Sequence, residues 1–174
     1  MDLKRVAAAV CREYTLDLRG LHGVWHWLRV RQNGLWLAER TPGADPQVIE
    51  LFALLHDSRR WDDGRDPEHG PRAADFARRL SADGILTLEA GKLEALADAC
   101  THHTSPRTST DPTIGCCWDA DRLELSRLSY PPDPRYLSTA AALHEDLQRW
   151  AWDAGYNGHQ DRAGAIWWGF DFLA

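Results

Sequence analysis

The chain of 174 residues reads as an all-α protein, and three observations predict it. Apolar residues recur at helical spacing over nearly the whole length, as with Val48, Phe52 and Leu55. Proline and glycine breakers such as Thr41-Pro42-Gly43 separate these stretches at short intervals. No segment carries the strict alternation of a half-buried strand, and no internal repeat or low-complexity tract intervenes. The length suits one compact domain over 1–174, large enough to bury a core without disulfide staples.

The elements follow in order. A short helix is expected over 4–14, with Val6, Val10 and Tyr14 inward. A longer one spans about 20–40, packing through Leu21, Trp25, Leu28, Leu35 and Leu37, with a kink near Gly34. Asp45-Pro46, a cap followed by a proline at the first helical position, opens the next. The polar loop WDDGRDPEHGP leads to a helix at about 71–82, built on Ala74, Phe76, Ala77 and Leu80. Thr87 can cap the following one, with Leu88, Leu93, Leu96 and Cys100 inside. Asp111-Pro112 repeats the cap-plus-proline device and starts a helix through about Leu128. SYPPDPRY is then a rigid extended segment. A last helix at about 137–151 precedes the aromatic tail IWWGFDFLA, expected to lie against the body. Five helices between about 20 and 130 thus form the core, with an N-terminal helix before it and an extension over 131–174.

Composition narrows the function. A hydrophobic fraction of 44% and a charged fraction of 26% are those of a globular protein. The net charge of −6 argues against a nucleic-acid polymer as partner. The first residues, MDLKRVAAAVCREYTLDLRG, lack the apolar stretch of a signal peptide, and no apolar run reaches membrane-span length. A cytoplasmic protein without a membrane partner is the expectation. Cys11, Cys100, Cys116 and Cys117 form no CxxC pair and read as reduced, mostly buried thiols. The nine tryptophans read as core and rim packing.

Histidine carries the functional signal. FALLHDSRR places His56 and Asp57 at the end of an apolar run, with His56 four residues after Phe52 and so on the packed face. His22 and His26 are also four apart and would share one face of a helix. His69 opens the helix at about 71–82, and His102-His103 close the next. His144 and His159 are expected at the surface. Each histidine alone is explained by a cap or a hydrogen-bonded core position; their order with HD and a later aspartate is more specific.

That order, carried by HWLRV, LLHD and WDADRL, resembles the HD-domain phosphohydrolase superfamily over about residues 20–130. The resemblance implies a single HD-domain helical bundle with a divalent metal ion held by His26, His56, Asp57 and Asp121. Imidazole and carboxylate donors suit Mn, Fe, Ni, Zn or Mg. EHGPRAADFARRL and ACTHHT resemble segments of dinuclear members, among them the HD-GYP phosphodiesterases, although the GYP signature is absent. His69 and His103 are therefore either ligands of a second ion or phosphate contacts. Phosphate contacts are preferred, so one ion is favoured and two are possible. Arg59, Arg60, Arg72 and Arg122 are the basic candidates for an anionic group, with Arg60 and Arg72 joining His69 and His103 as catalytic contacts. His22 is expected to support a ligand.

The function so implied is a metal-dependent phosphohydrolase acting on a small phosphorylated metabolite or nucleotide through a metal-bound hydroxide. A di-iron oxygenase is the alternative, since similar HD proteins oxidise C–H bonds of inositol or phosphonates; a metal-binding domain without turnover is the third reading. Within WDADRLEL, Asp119 and Asp121 lie about 200° apart on a helix. The family's ADxL pattern matches Asp121, and its helical neighbours Ile114, Cys117, Trp118, Leu125 and Leu128 are all apolar. The neighbours of Asp119 (Gly115, Cys116, Arg122, Leu123 and Ser126) form a mixed face expected to be largely exposed. Asp121 is accordingly the expected ligand.

Overall fold

Asp45 starts a helix as its sequence predicts: its carboxylate accepts from the backbone N–H groups of Gln47 and Val48, and Pro46 fills the first turn. Asp111 does the same for Thr113 and Ile114, ahead of Pro112. The structure is a computed structural model that describes residues 2–173. It contains α1 (Leu3–Glu13), α2 (Val24–Ala38), α3 (Pro46–Leu55), α4 (His69–Ala82), α5 (Ala90–His102), α6 (Pro112–Leu123), α7 (Glu145–Tyr156) and α8 (Arg162–Trp168). Short 3₁₀ turns at Glu124–Leu128, Pro134–Tyr136, Ala140–Leu143 and Asp171–Leu173 complete it, and no strand occurs among the described residues. Among the described residues, no helix is long and apolar enough to cross a membrane.

Several boundaries depart from expectation. The second helix begins at Val24, because the chain folds tightly over residues 17–23: Val24 N–H donates to Leu18 O, and a Cβ on Gly23 would stand 2.3 Å from that carbonyl oxygen. His22 therefore lies in this turn rather than on the helix face of His26. Glu89, not Thr87, occupies the N-cap of α5. The sixth helix tightens into 3₁₀ form after Leu123. The expected helix at 137–151 is split by His144, whose ring caps α7 through Asp146 N–H. An additional helix, α8, follows it; its cap is the carboxylate of Asp161, bonded to Gly164 N–H. Of the aromatic tail, Trp168 and Phe170 are buried while Trp167 and Phe172 are exposed, so only part of it lies on the body.

α3 is the axis of the bundle. Of its residues from Val48 to Leu55 only Glu50 escapes full burial, which suits a helix wrapped on all sides. α2 and α6 pack along it, α5 lies against it, and α4 pairs with α5. The approach of α2 to α3 depends on Gly34, where a Cβ would sit 2.5 Å from Ile49 Cγ2. The glycine admits a neighbour, and α2 runs through it as one continuous helix. The consequence for the site is direct: the buried helix α3 ends at His56 and Asp57, so both are delivered into the interior.

Gly34→Ala tests this packing. Helix propensity alone favours alanine by about 1 kcal/mol, but overpacking against Ile49 costs about 1–3 kcal/mol. A net loss of stability in urea unfolding is expected, with native helical circular dichroism. A gain in stability would show that the α2–α3 contact is looser than described.

Candidate metal centre

The site is built at the inner ends of five helices. His56 follows the last residue of α3 and turns its Nδ1 back onto the carbonyls of Phe52 and Ala53, at 3.1 and 3.2 Å. His26, in the first turns of α2, places its Nδ1 2.7 Å from Glu124 Oε2. His69, the first residue of α4, directs Nδ1 to the carbonyl of Asp66. His103, just past α5, directs Nδ1 to Cys100 O at 2.7 Å. The start of α4 can lie this close to the end of α5 because residue 70 is glycine; a Cβ there would stand 2.5 Å from Cys100 O. All four rings are buried.

These contacts fix the tautomers. Each Nδ1 faces an acceptor and must carry a proton, which leaves each neutral ring a lone pair at Nε2. The Nε2 atoms then meet in two pairs, His26 with His56 at 3.1 Å and His69 with His103 at 2.9 Å. Two lone pairs repel at such distances, as two imidazolium protons would; each contact is satisfied by one proton shared between the rings or by a cation that takes that proton's place.

Asp57 stands between the pairs. Its Oδ2 lies 3.3 Å from His26 Nε2 and 3.5 Å from His56 Nε2. Its Oδ1 lies 3.1 Å from His69 Nε2 and 3.7 Å from His103 Nε2. Two groups able to hold a metal ion result, His26–His56–Asp57 and Asp57–His69–His103, with the donor atoms of each within 4.8 Å of one another. Asp121 Oδ1 joins the first group, 3.5 Å from His26 Nε2 and 3.6 Å from His56 Nε2. Burial opposes ionisation of Asp57, but attraction to the surrounding rings of His56, His103, His26 and His69 outweighs it and holds the carboxyl well below its usual range. Asp121 is shifted the same way: burial resists, and His56, His26 and His103 prevail. Both carboxylates are thus ready as anions for a cation that replaces those protons.

Sequence reasoning missed Glu124. This carboxylate is 1% exposed, receives His26 Nδ1–H on Oε2, and is bonded by Arg29 Nε on Oε1 and by Arg127 Nη1 on Oε2. Desolvation pushes its pKa up, yet His26, Arg127 and Arg29 bring it below the ordinary value. It orients His26 as a carboxylate behind a metal-binding histidine does. The signal was an acidic residue inside the otherwise apolar end of WDADRLEL, three positions after Asp121.

The expected exposure around Asp119 is reversed. Asp119 is fully buried, and Gly115, Cys116, Arg122, Leu123 and Ser126 are buried with it. Residues 138–139 cover that face: the carboxylate accepts from Ser138 N–H, Thr139 N–H and the Thr139 hydroxyl. Burial raises its pKa and these hydrogen bonds only partly offset the rise. Asp119 therefore fastens the C-terminal segment to α6, whereas Asp121 faces the histidines.

A cleft of about 480 Å³ opens above the donors, reached by Asp57, His69, His103 and Asp121 and walled on one side by Ser105, Pro106, Leu125 and Tyr136. His22 lines it too, with Nδ1 2.8 Å from Asp63 Oδ1. Arg60 also lines the cleft. Arg72 does not; it bonds to Arg59 O and Asp66 and stacks on Trp61, 3.8 Å from the ring centre, bracing the loop whose carbonyl holds His69. Arg59 turns to Glu13. His102 pairs with Asp98 outside the cluster, and His144 and His159 are exposed.

Three substitutions separate these roles. Asp121→Asn should weaken metal binding, measured by titration with Mn or Zn, while leaving stability nearly unchanged. Asp119→Asn should retain the metal and lose about 1–3 kcal/mol of stability, because the amide cannot accept all three hydrogen bonds. The reverse pattern would exchange the two assignments. Glu124→Gln should lower metal affinity about 10–100-fold; unchanged affinity would remove it from the site. No protein-family model, curated protein or solved structure matches the chain, and the assignment of this centre rests on its geometry and donor chemistry.

Proposed function

We propose that the chain is a dinuclear metal-dependent phosphohydrolase acting on a small phosphorylated molecule. The observation that carries this reading is the position of Asp57, one buried carboxylate with a histidine pair on each of its oxygens. The His69–His103 pair repeats the arrangement of His26–His56, which favours two ions over the single ion expected from the sequence. Two divalent cations in such a site neutralise phosphoryl oxygens and lower the pKa of a water, the chemistry that phosphoester hydrolysis needs.

The chain's own contribution is preorganisation. Backbone carbonyls and Glu124 lock the four rings, so the donors need no rearrangement when loaded. The cleft of about 480 Å³ matches a small organic phosphate in size. Thr104 and Ser105 offer polar contacts along it, and Leu125, Leu128 and Pro131 offer apolar ones.

One feature favours a second reading. Four imidazoles against two carboxylates, one of them shared, form a nitrogen-rich set that also suits iron. A di-iron oxygenase would use the same donors.

The deciding experiment loads metal-free protein with Mn, Ni or Fe and measures metal content, phosphate release from p-nitrophenyl phosphate, and oxygen uptake. Two ions per chain with Mn- or Ni-stimulated phosphate release are expected. Asp57→Ala should lose both ions and reduce turnover to background while keeping native helical content. Oxygen consumption by the iron form, with no phosphate released under any metal, would replace the hydrolase by the oxygenase. Metal binding with neither activity would leave a non-catalytic metal domain.

A further inference from the structure

The basic residues around the donors divide sharply by what their guanidinium groups already hold. Arg122 lines the cleft but donates to the carbonyls of Ser105, Arg107 and Tyr136. Arg29 is committed to Glu124 and to His159 O. Arg72 and Arg59 are committed outside the cleft, as described above. Two arginines remain. Arg60 and Arg127 both line the cleft, with side chains only 11% and 8% exposed. The Nε–H of each is buried without a hydrogen-bond partner.

Their other contacts leave further donors free. Arg127 uses Nη1 alone, on the carbonyl and carboxylate of Glu124. Arg60 Nε lies 3.4 Å from Asp57 Oδ1 without a hydrogen bond, and its Nη1 lies 3.4 Å from His69 Nδ1, whose proton already goes to Asp66 O. A buried guanidinium N–H with no acceptor is costly, so an anion should complete both groups. Their neighbours fix where that anion sits. Arg60 adjoins the Asp57–His69 side of the cluster, and Arg127 adjoins the Glu124–His26 side. Both guanidinium groups therefore stand beside the donor groups in one cleft.

We propose that Arg60 and Arg127 make this site selective for a terminal phosphoryl dianion, so that its substrates are phosphomonoesters and not phosphodiesters. The inference rests on the hydrolase reading and adds the substrate class. A monoester dianion presents three non-bridging oxygens, enough for the metal centre and for two guanidinium forks at once. A diester presents two such oxygens and a single charge. It would leave one arginine desolvated without a partner, and its second organic group would compete for the space beside that arginine. A site with buried donors left unpaired rejects the wrong ligand far more strongly than one lacking only an apolar contact.

The test compares p-nitrophenyl phosphate with bis(p-nitrophenyl) phosphate on the metal-loaded protein, and reads binding separately by calorimetry with phenylphosphonate and its monomethyl ester. The wild-type protein should favour the monoester by about 100-fold or more in kcat/KM and bind phenylphosphonate in preference to its ester. Arg60→Gln and Arg127→Gln should each lower monoester kcat/KM and phenylphosphonate affinity by about 100-fold, the scale of one lost charge-stabilising donor. The effect of Arg60→Gln on the diester should stay within about 5-fold. Metal content of each variant separates lost ions from lost contacts, and Arg60→Gln decides by itself if Arg127→Gln disturbs Glu124. Equal losses on the two esters, or a wild-type preference for the diester, would overturn the assignment while the hydrolase reading stands. Tight, arginine-dependent phenylphosphonate binding without hydrolysis of either ester would sink the hydrolase and, with it, the substrate assignment.

Discussion

A carboxylate sealed inside a helical bundle must be met by positive charge, and the inner architecture is arranged around that demand at Asp57. Leaving such a group unpaired would cost several kcal/mol, a large fraction of the net stability of a typical domain. α3 can carry Asp57 inward only because it is covered on all sides, and α2, α4 and α5 each begin or end where they present a histidine to it, while α6 brings Asp121 to the His26–His56 pair. The small residues follow from the same requirement: Gly34 lets α2 reach α3, and Gly70 lets α4 reach the end of α5.

Behind the candidate ligands stands a second tier of anchoring groups. Each imidazole proton at Nδ1 is held by an acceptor that belongs to rigid backbone, except at His26, where Glu124 serves. Glu124 is in turn neutralised by Arg29 and Arg127, so a change at either arginine reaches the metal centre through two hydrogen bonds. Asp66 plays a comparable part for His69 through its carbonyl, while its carboxylate ties down Arg72 and the Trp61 N–H.

Much of this was legible in the sequence, for identifiable reasons. The helical spacing of Phe52 and His56 places the ring on a packed face without any reference to tertiary structure, and caps at Asp45 and Asp111 are local signals that the fold obeys. The ordered motifs brought His26, His56, Asp57 and Asp121 together, and the structure gathers all four. What failed was chiefly long-range. Asp119 looked exposed because a helical projection knows only its own helix, and the face is covered by residues 138–139, which arrive from beyond a proline-rich crossing. Glu124 lies three positions after Asp121, on the same face in a helical projection, and was passed over because that face was read as wholly apolar. Arg72 was misplaced as Asp119 was: proximity to His69 along the chain said nothing of Asp66 and Trp61, which capture it.

The two histidine pairs also differ in how they are mounted. His26 and His56 come from α2 and α3, which share the deepest packing, while His69 and His103 come from the paired helices α4 and α5, which meet the rest largely through α5. A cation held by the second pair and Asp57 would act as a rivet between that helical hairpin and the bundle. Chelation would then loosen the molecule unevenly, releasing the hairpin edge before the central helices, so an ion at the second position would govern mechanical cohesion as well as any chemistry.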